Sequence, residues 1–226
     1  MKGMTKMKKK GRNTIEIPTY SLAEELLNSI SHGLGALLGV AALVLCVVRS
    51  AMHGDAWAVV ASCIYAGSLI ILYCMSSIYH ALKVNRAKKV FRVLDHCSIF
   101  FLIAGTYTPY TLVSLRGPLG WTLFGIIWVA AAAGITFNAI DLKKYKVISL
   151  ITYVLMGWVI VIAVKPIIAS AGINAMRLLL WGGISYTIGA VLYVIGKKKK
   201  FIHGIFHIFV VIGSVLHFFS IFLYVI

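Results

Sequence analysis

The sequence predicts an all-α, polytopic membrane protein with seven transmembrane helices. Hydrophobic residues make up 61% of the 226-residue chain and charged residues only 12%, whereas soluble domains contain about 25% charged residues. The apolar residues fall into seven bands, each close to the ~20 residues that a helix needs to cross a bilayer core. The basic residues concentrate in alternate connections between these bands, which is the third sign of a multi-span protein.

The seven bands fill most of the chain and are separated by short connections, so no separate soluble domain is expected. They cover about 28–48, 56–79, 93–115, 119–139, 147–168, 176–196 and 201–225. The sequence therefore predicts two parts, a basic cytoplasmic N-terminal segment over 1–27 and a seven-helix transmembrane domain over 28–226.

The basic residues also predict the orientation of the chain. All but four of the 22 Lys and Arg residues lie in segments that share one side of the membrane. By the positive-inside rule that side is cytoplasmic, so the N-terminus is predicted inside and the C-terminus outside a multi-pass protein of the cell membrane. The net charge of +16 is therefore explained by topology, and no nucleic-acid partner is expected.

The first polar motif stands at the head of the first band. Glu25, Asn28 and His32 are spaced at i, i+3 and i+7, which places them on one face of a helix. The neighbouring Glu24 is explained by a capping box with Ser21, three residues earlier. A capping box does not account for Asn28 and His32, which lie at the edge of the hydrocarbon.

Further polar residues stand at the ends of three other bands. Ser76 and His80 share a helical face at the end of the second, Asp95 opens the third, and His203 and His207 open the seventh. With the predicted topology, these residues and His32 all lie near one depth on the cytoplasmic side. His217 lies ~15 Å farther along its helix and is not expected to join them.

Three histidines with an open fourth position are typical of a catalytic zinc ion. His203 and His207 supply an i, i+4 pair, and the third ligand must come from another helix, either His80 or His32. We prefer His80, because Ser76 one turn away can then stabilise an oxyanion. Asp95 is a candidate general base, and it could alternatively be a fourth ligand of a closed, structural site.

These motifs together resemble the hemolysin III family, which is grouped with the progestin and adipoQ receptors and, more distantly, with alkaline ceramidases. The resemblance covers all seven bands and implies an intramembrane Zn²⁺ bound by His80, His203 and His207. It also implies that Asp95 and Ser76 lie beside the metal, with Glu25, Asn28 and His32 as a supporting motif.

Three functions are consistent with these residues. The first is a zinc-dependent hydrolase of lipid amide or ester bonds, similar to a ceramidase, with a membrane lipid as substrate. The second is a hemolysin, a cytolytic or pore-forming protein, although the fourth to sixth bands lack the polar faces that a pore needs. The third is a lipid receptor or sensor with a structural zinc. The spacing of the motifs leaves the lipid and the oligomeric state open.

Overall fold

The computed structural model describes residues 15, 17–196 and 199–226, and all regular secondary structure in these ranges is helical. Six segments of this part of the chain are long and apolar enough to cross a membrane. The helices are α1 (Leu22–His53), α2 (Ala56–Ala81), α3 (Arg86–Pro109), α4 (Pro118–Asp141), α5 (Lys146–Trp158), α6 (Val164–Ile195) and α7 (Ile202–Tyr224).

Helix α1 begins at Leu22, before the apolar band that predicts it. The predicted capping box is present, since the Ser21 hydroxyl accepts from the Glu24 N–H and the Glu24 carboxylate accepts from the Ser21 N–H. The other carboxylate oxygen of Glu24 accepts from the backbone N–H of Phe201 at 2.9 Å. This bond ties the start of α1 to the start of α7, which is where the polar motifs of both helices lie.

Helices α2 and α3 also begin at side-chain caps. The Asp55 carboxylate accepts from the N–H of Ala58, and the Asn85 amide oxygen accepts from the N–H of Lys88. The bond from Ala58, followed by the bond from Arg116, holds the pKa of Asp55 below its usual value. Beyond Pro109, α3 continues as one π-helical turn, Tyr110–Ser114.

The fifth apolar segment runs over 50 residues, from Lys146 to Ile195. After α5 the chain follows a 3-10 helix, Val159–Ala163, and then α6. The backbone of Gly172 is non-helical, with a φ of 86° that lies in the left-handed region favoured by glycine. Gly172 therefore interrupts α6 between the fifth and sixth bands of the sequence.

Small residues allow the helices to approach closely. A Cβ at Gly35 of α1 would lie 2.6 Å from the Tyr73 ring of α2, and one at Gly134 of α4 would lie 2.2 Å from the Phe100 ring of α3. Such contacts are typical of packing in membranes, where the lipid supplies no hydrophobic drive between helices. The α1–α2 and α6–α7 pairs pack extensively, and α1 also contacts α7. The start of α1, the end of α2 and the start of α7 consequently converge.

Candidate metal centre

Three histidine side chains meet at this convergence. His80 lies in the last turn of α2, and His203 and His207 lie in the first two turns of α7. One ring nitrogen of each lies within 4.8 Å of the other two. Residues four apart on a helix leave the same face, so α7 presents both of its imidazoles together. The group could hold a metal ion.

The two histidines of α7 are spaced as ligands of one ion would be. Their Nε2 atoms are 3.2 Å apart. Two nitrogens bound to a tetrahedral zinc at about 2.0–2.1 Å would be separated by about 3.3 Å. Nδ1 of His207 lies 3.3 Å from the Asn28 carbonyl oxygen, which can only accept, so Nδ1 carries the proton and Nε2 keeps its lone pair for a cation.

His80 is oriented by a carboxylate. Its Nδ1 lies 2.7 Å from Oε2 of Glu25. Because a carboxylate accepts only, Nδ1 carries a proton, and in the neutral ring Nε2 then has the lone pair. Nε2 is buried and has no hydrogen-bond partner in the described part of the chain. Leaving such an atom unpaired costs about 1–3 kcal/mol, and a bound cation would remove that cost. The donor set therefore fits a metal ion.

The motif of α1 surrounds these ligands. Glu25 contacts His80, and the backbone carbonyl of Asn28 contacts His207. The Asn28 amide nitrogen lies 3.3 Å from Nδ1 of His80, and its amide oxygen is buried and has no partner among the described residues. Rotating this amide by 180° would make it a second acceptor for the Nδ1 proton. Both residues thus contact metal-ligand candidates rather than adding ligands of their own.

His32 takes a different position from the three ligand candidates. Its ring stacks on His207, with centroids 3.7 Å apart and an interplanar angle of 18°, and it meets the Tyr73 ring edge-on at 5.0 Å. It does not belong to the three-histidine group. Both ring nitrogens are buried and have no partner among the described residues. The three-histidine group therefore joins His80 to the histidines of α7, and His32 packs against this group through His207.

Ser76 and Asp95 lie at the edge of the same site. The Ser76 hydroxyl, one turn before His80, is buried and has no partner among the described residues. Asp95 is partly exposed, and its Oδ2 lies 3.7 Å from Nδ1 of His96, a nitrogen that also lies 2.9 Å from the Arg92 carbonyl. Asp95 is not part of the three-histidine group. The sequence suggested it either as a base or as a fourth ligand.

A cavity of about 990 Å³ adjoins the histidines. Ser76, Asp95, His203 and His207 line it, and it extends to Tyr110 and to His217. Its size is at the upper end of the range for small-molecule sites, about 300–1,000 Å³. Most of its lining is aliphatic or aromatic. The histidines of α7 therefore lie at a large and mostly apolar cavity.

His217 lies at the far part of this cavity and serves packing. Its Nε2 donates to the Leu179 carbonyl at 3.1 Å, and its ring meets Tyr186 edge-on. The ring lies so close to Gly182 that a Cβ there would come within 2.2 Å of it. His217 does not belong to the three-histidine group, in agreement with the sequence prediction.

Comparison with known proteins gives the family. The model for haemolysin-III related proteins matches residues 20–218. The chain belongs to the haemolysin-III related family. It is 42% identical over 207 residues to Hemolysin-3 of Bacillus cereus, covering 92% of this chain and 94% of that protein. It is 40% identical over 205 residues to the Hemolysin-3 homolog of Bacillus subtilis, covering 91% and 96% of the two chains.

A more distant relative extends the likeness beyond bacteria. The human monocyte to macrophage differentiation factor is 29% identical over 208 residues, covering 89% of this chain and 84% of that protein. The family and the apolar helices together identify a multi-pass protein of the cell membrane. The hemolysin III resemblance inferred from the motifs is thereby confirmed.

Two residues of this haemolysin-III family member contact the site without having been predicted. Tyr20 stacks on His203 with centroids 5.1 Å apart, and burial raises its pKa above the usual value. Lys88 is 2% exposed and donates to Glu25 at 2.6 Å. Nothing in the sequence pointed to Tyr20, which precedes the first band. The sequence gave a weak indication for Lys88, because a lysine in the first turn of a helix opposes the helix dipole.

Proposed function

We propose that this protein is a zinc-dependent hydrolase of lipid amide or ester bonds, with its metal centre inside the membrane. His80, His203 and His207 are the proposed ligands. One observation carries the proposal: three histidines come together, two of them buried and oriented by partners on α1, and the two from α7 line a large, mostly apolar cavity with Ser76 and Asp95. A metal ion that only held the helices together, in a protein without a lipid ligand, would need no such cavity.

A zinc ion bound by three histidines, with one position open, polarises a carbonyl group and lowers the pKa of its bound water to about 7. The chain's own residues would complete the chemistry. Asp95 would accept the proton of the attacking water and return it to the leaving amine or alcohol. Ser76, whose hydroxyl is buried and has no protein partner among the described residues, would donate to the oxygen that gains negative charge.

The cavity supports a lipid as substrate. Its aliphatic and aromatic walls would bind an acyl chain by removing apolar surface from water, and would hold the amide or ester carbonyl near the histidines. The same walls would exclude bulk water, which strengthens the electrostatic interactions inside the site. Because the protein is integral to the membrane, the substrate would enter from the bilayer.

We further propose seven spans, with the N-terminus cytoplasmic and the C-terminus outside. The 50 residues from Lys146 to Ile195 measure about 75 Å as a helix, more than twice a ~30 Å bilayer core. The break at Gly172 offers a point at which two spans could be joined. A cytoplasmic segment over 1–27 and a transmembrane domain over 28–226 follow from this topology and from the positive-inside rule.

Two other functions have specific support. The names of the two bacterial relatives favour a membrane-damaging protein, a hemolysin. A lipid receptor or sensor with a structural zinc would use the same histidines and the same cavity. A sensor would retain zinc and bind lipid without turning it over, whereas a pore would release vesicle contents without needing the three histidines.

Metal content tests the first step of the proposal. Elemental analysis of detergent-purified protein should find about one zinc per chain. His80→Ala and His207→Ala should each reduce this to near zero, because two imidazoles bind zinc far more weakly than three. His217→Ala is the buried control and His53→Ala the exposed one, and both should retain zinc.

Turnover tests the second step. Zinc-loaded protein in bilayers should release fatty acid from labelled ceramides or related lipid amides and esters, and His207→Ala should not. Zinc-free wild-type protein with a native circular dichroism spectrum would refute the metal centre. Stoichiometric zinc with no turnover of any lipid tested, and with saturable lipid binding, would favour the sensor.

A further inference from the structure

Lys88 is a buried cation beside the metal centre. Its side chain is 2% exposed, and it lies in the first turn of α3, after the capping residue Asn85. Long cationic side chains usually bury their stem and keep the charge in water. The helix dipole also disfavours a cation at this position. The local sequence and solvation of α3 therefore give no reason for a buried lysine here.

Lys88 contacts residues that are next to His80 or are bonded to it. Nζ donates to Oε1 of Glu25 at 2.6 Å and to the Leu82 carbonyl at 2.9 Å, and it lies 5.2 Å from the centre of the Tyr79 ring. Leu82 and Tyr79 flank His80 at the end of α2. The other oxygen of Glu25 accepts from Nδ1 of His80. Lys88, Glu25 and His80 thus form one continuous chain of hydrogen bonds.

Stability alone does not account for this arrangement. Replacing a buried ion pair by well-packed apolar residues is often neutral or stabilising, because two charges must be removed from water to form the pair. The pair does fix the direction of the Glu25 carboxylate, since each oxygen has its own donor. A carboxylate held in this way keeps the proton of His80 on Nδ1, and so leaves the lone pair of Nε2 free for the ion.

We propose that Lys88 is a positioning residue of the metal centre. Acting through Glu25, it holds the His80 ring in the tautomer and orientation that bind the ion. This role rests on the proposed metal site and adds to it a second residue of α3, besides Asp95. The partners of a ligating histidine typically change metal affinity by about 10–100-fold.

The test measures metal affinity rather than activity. Purified full-length wild type, Lys88→Met, Glu25→Gln and the double variant are titrated with Zn²⁺ against a chelator of known affinity. Each single variant should bind zinc about 10–100-fold more weakly. The double variant should lose no more than the worse single one, because both changes interrupt the same chain. If the two residues acted independently, the fold-losses in zinc affinity of the single variants would multiply in the double variant.

The controls separate positioning from general damage. Lys89→Met makes the same change at the next residue and should keep the affinity within about twofold. Lys88→Arg retains a cationic donor for the carboxylate and should recover part of the loss. Visible spectra of the Co²⁺ forms should change in Lys88→Met, because they report the ligand field, and should stay unchanged in Lys89→Met.

Three results would overturn the inference. Wild type that binds no metal would refute this role together with the proposed function. Wild type that binds zinc, with unchanged affinity in Lys88→Met, would refute the role of Lys88 alone. If Lys88→Met does not fold, Glu25→Gln decides independently, since unchanged affinity there breaks the route through the carboxylate.

Discussion

Two polar regions of the bundle differ in how their buried atoms are paired. In the middle of the bundle lie two groups of paired hydroxyls, Tyr73 and Tyr186 with Ser214, and Tyr110 with Ser220, here together called the tyrosine–serine network. Three hydroxyl contacts, Tyr73–Ser214, Tyr186–Ser214 and Tyr110–Ser220, each measure 2.7 Å. At the histidine end, buried nitrogen and oxygen atoms of Asn28, His32, Ser76 and His80 lack any partner among the described residues.

This difference indicates different roles for the two regions. A buried polar atom without a partner costs about 1–3 kcal/mol, and native proteins keep few of them. The network satisfies its hydroxyls internally, so it needs nothing further to be stable. The histidine end leaves several atoms without a partner among the described residues, as is expected of the metal and substrate site proposed above. The contrast is incomplete, since Tyr65, which lies near the network tyrosines, His217 and Arg92 each have one buried atom without a partner among the described residues.

The largest expected effect is on turnover, at the histidine end. Asp95→Asn should lower the rate of lipid hydrolysis by 100-fold or more, because a general base typically contributes about 10²–10⁴-fold. Zinc content should remain at one per chain, because Asp95 lies outside the ligand group. The readouts are single-turnover release of fatty acid and elemental analysis of the same preparation.

Asp55→Asn is the matched control for this change. Asp55 caps α2 at the end opposite to His80, and asparagine caps helices equally well. Its turnover should stay at the wild-type rate. Loss of zinc in Asp95→Asn would instead identify Asp95 as the fourth ligand of a closed site, and would count against the hydrolase.

Much of the fold was predictable, because hydrophobicity alone defines a membrane span. The bands at 56–79, 119–139 and 201–225 correspond closely to α2, α4 and α7. The band at 28–48 understates α1, since the polar first turns from Leu22 are helical but not apolar. Hydropathy also does not reveal the 3-10 helix or the break at Gly172, because it depends on composition and not on the backbone conformation of an apolar segment.

The candidate site was predictable where polar residues interrupt apolar bands. His80, His203 and His207 were singled out for this reason, and the structure gathers their nitrogens within 4.8 Å. Lys88 lies among other basic residues of a connection, where lysine is ordinary, so its burial distinguishes it far better than its place in the first turn of a helix. The stacking of His32 on His207 depends on the crossing of α1 and α7, which spacing along one helix cannot give.

Because Ser214 has hydrogen-bonded partners and Ser76 has none among the described residues, we expect their alanine variants to differ in stability. Ser214→Ala should lower the free energy of unfolding by about 1–3 kcal/mol, because it removes the shared partner of Tyr73 and Tyr186. Ser76→Ala should leave stability within about 0.5 kcal/mol, because its hydroxyl has no partner to lose among the described residues. Denaturant unfolding of both variants in one detergent provides the comparison.

The two serines should also separate in function. Ser76→Ala is expected to reduce lipid turnover about 100-fold, as the loss of one oxyanion donor does. Ser214→Ala should retain zinc, since it is not one of the three ligands. A strongly destabilised Ser76→Ala would show that its hydroxyl has a structural partner, and the contrast between the two regions would then fail.

The smallest effect concerns packing in the middle of the bundle. Gly182→Ala should lower the free energy of unfolding by about 1–3 kcal/mol, because the new Cβ would meet the His217 ring and the backbone oxygen of Gly213, at 2.2 and 3.1 Å, and the backbone cannot move aside. Gly183→Ala is the neighbouring control, since a Cβ there meets nothing within 4 Å. Thermal unfolding of the two variants, with zinc content measured alongside, should show destabilisation only in the first and unchanged metal in both. Zinc loss in Gly182→Ala would mean that packing around His217 is transmitted along α7 to His207, so that the network and the metal centre act as one unit.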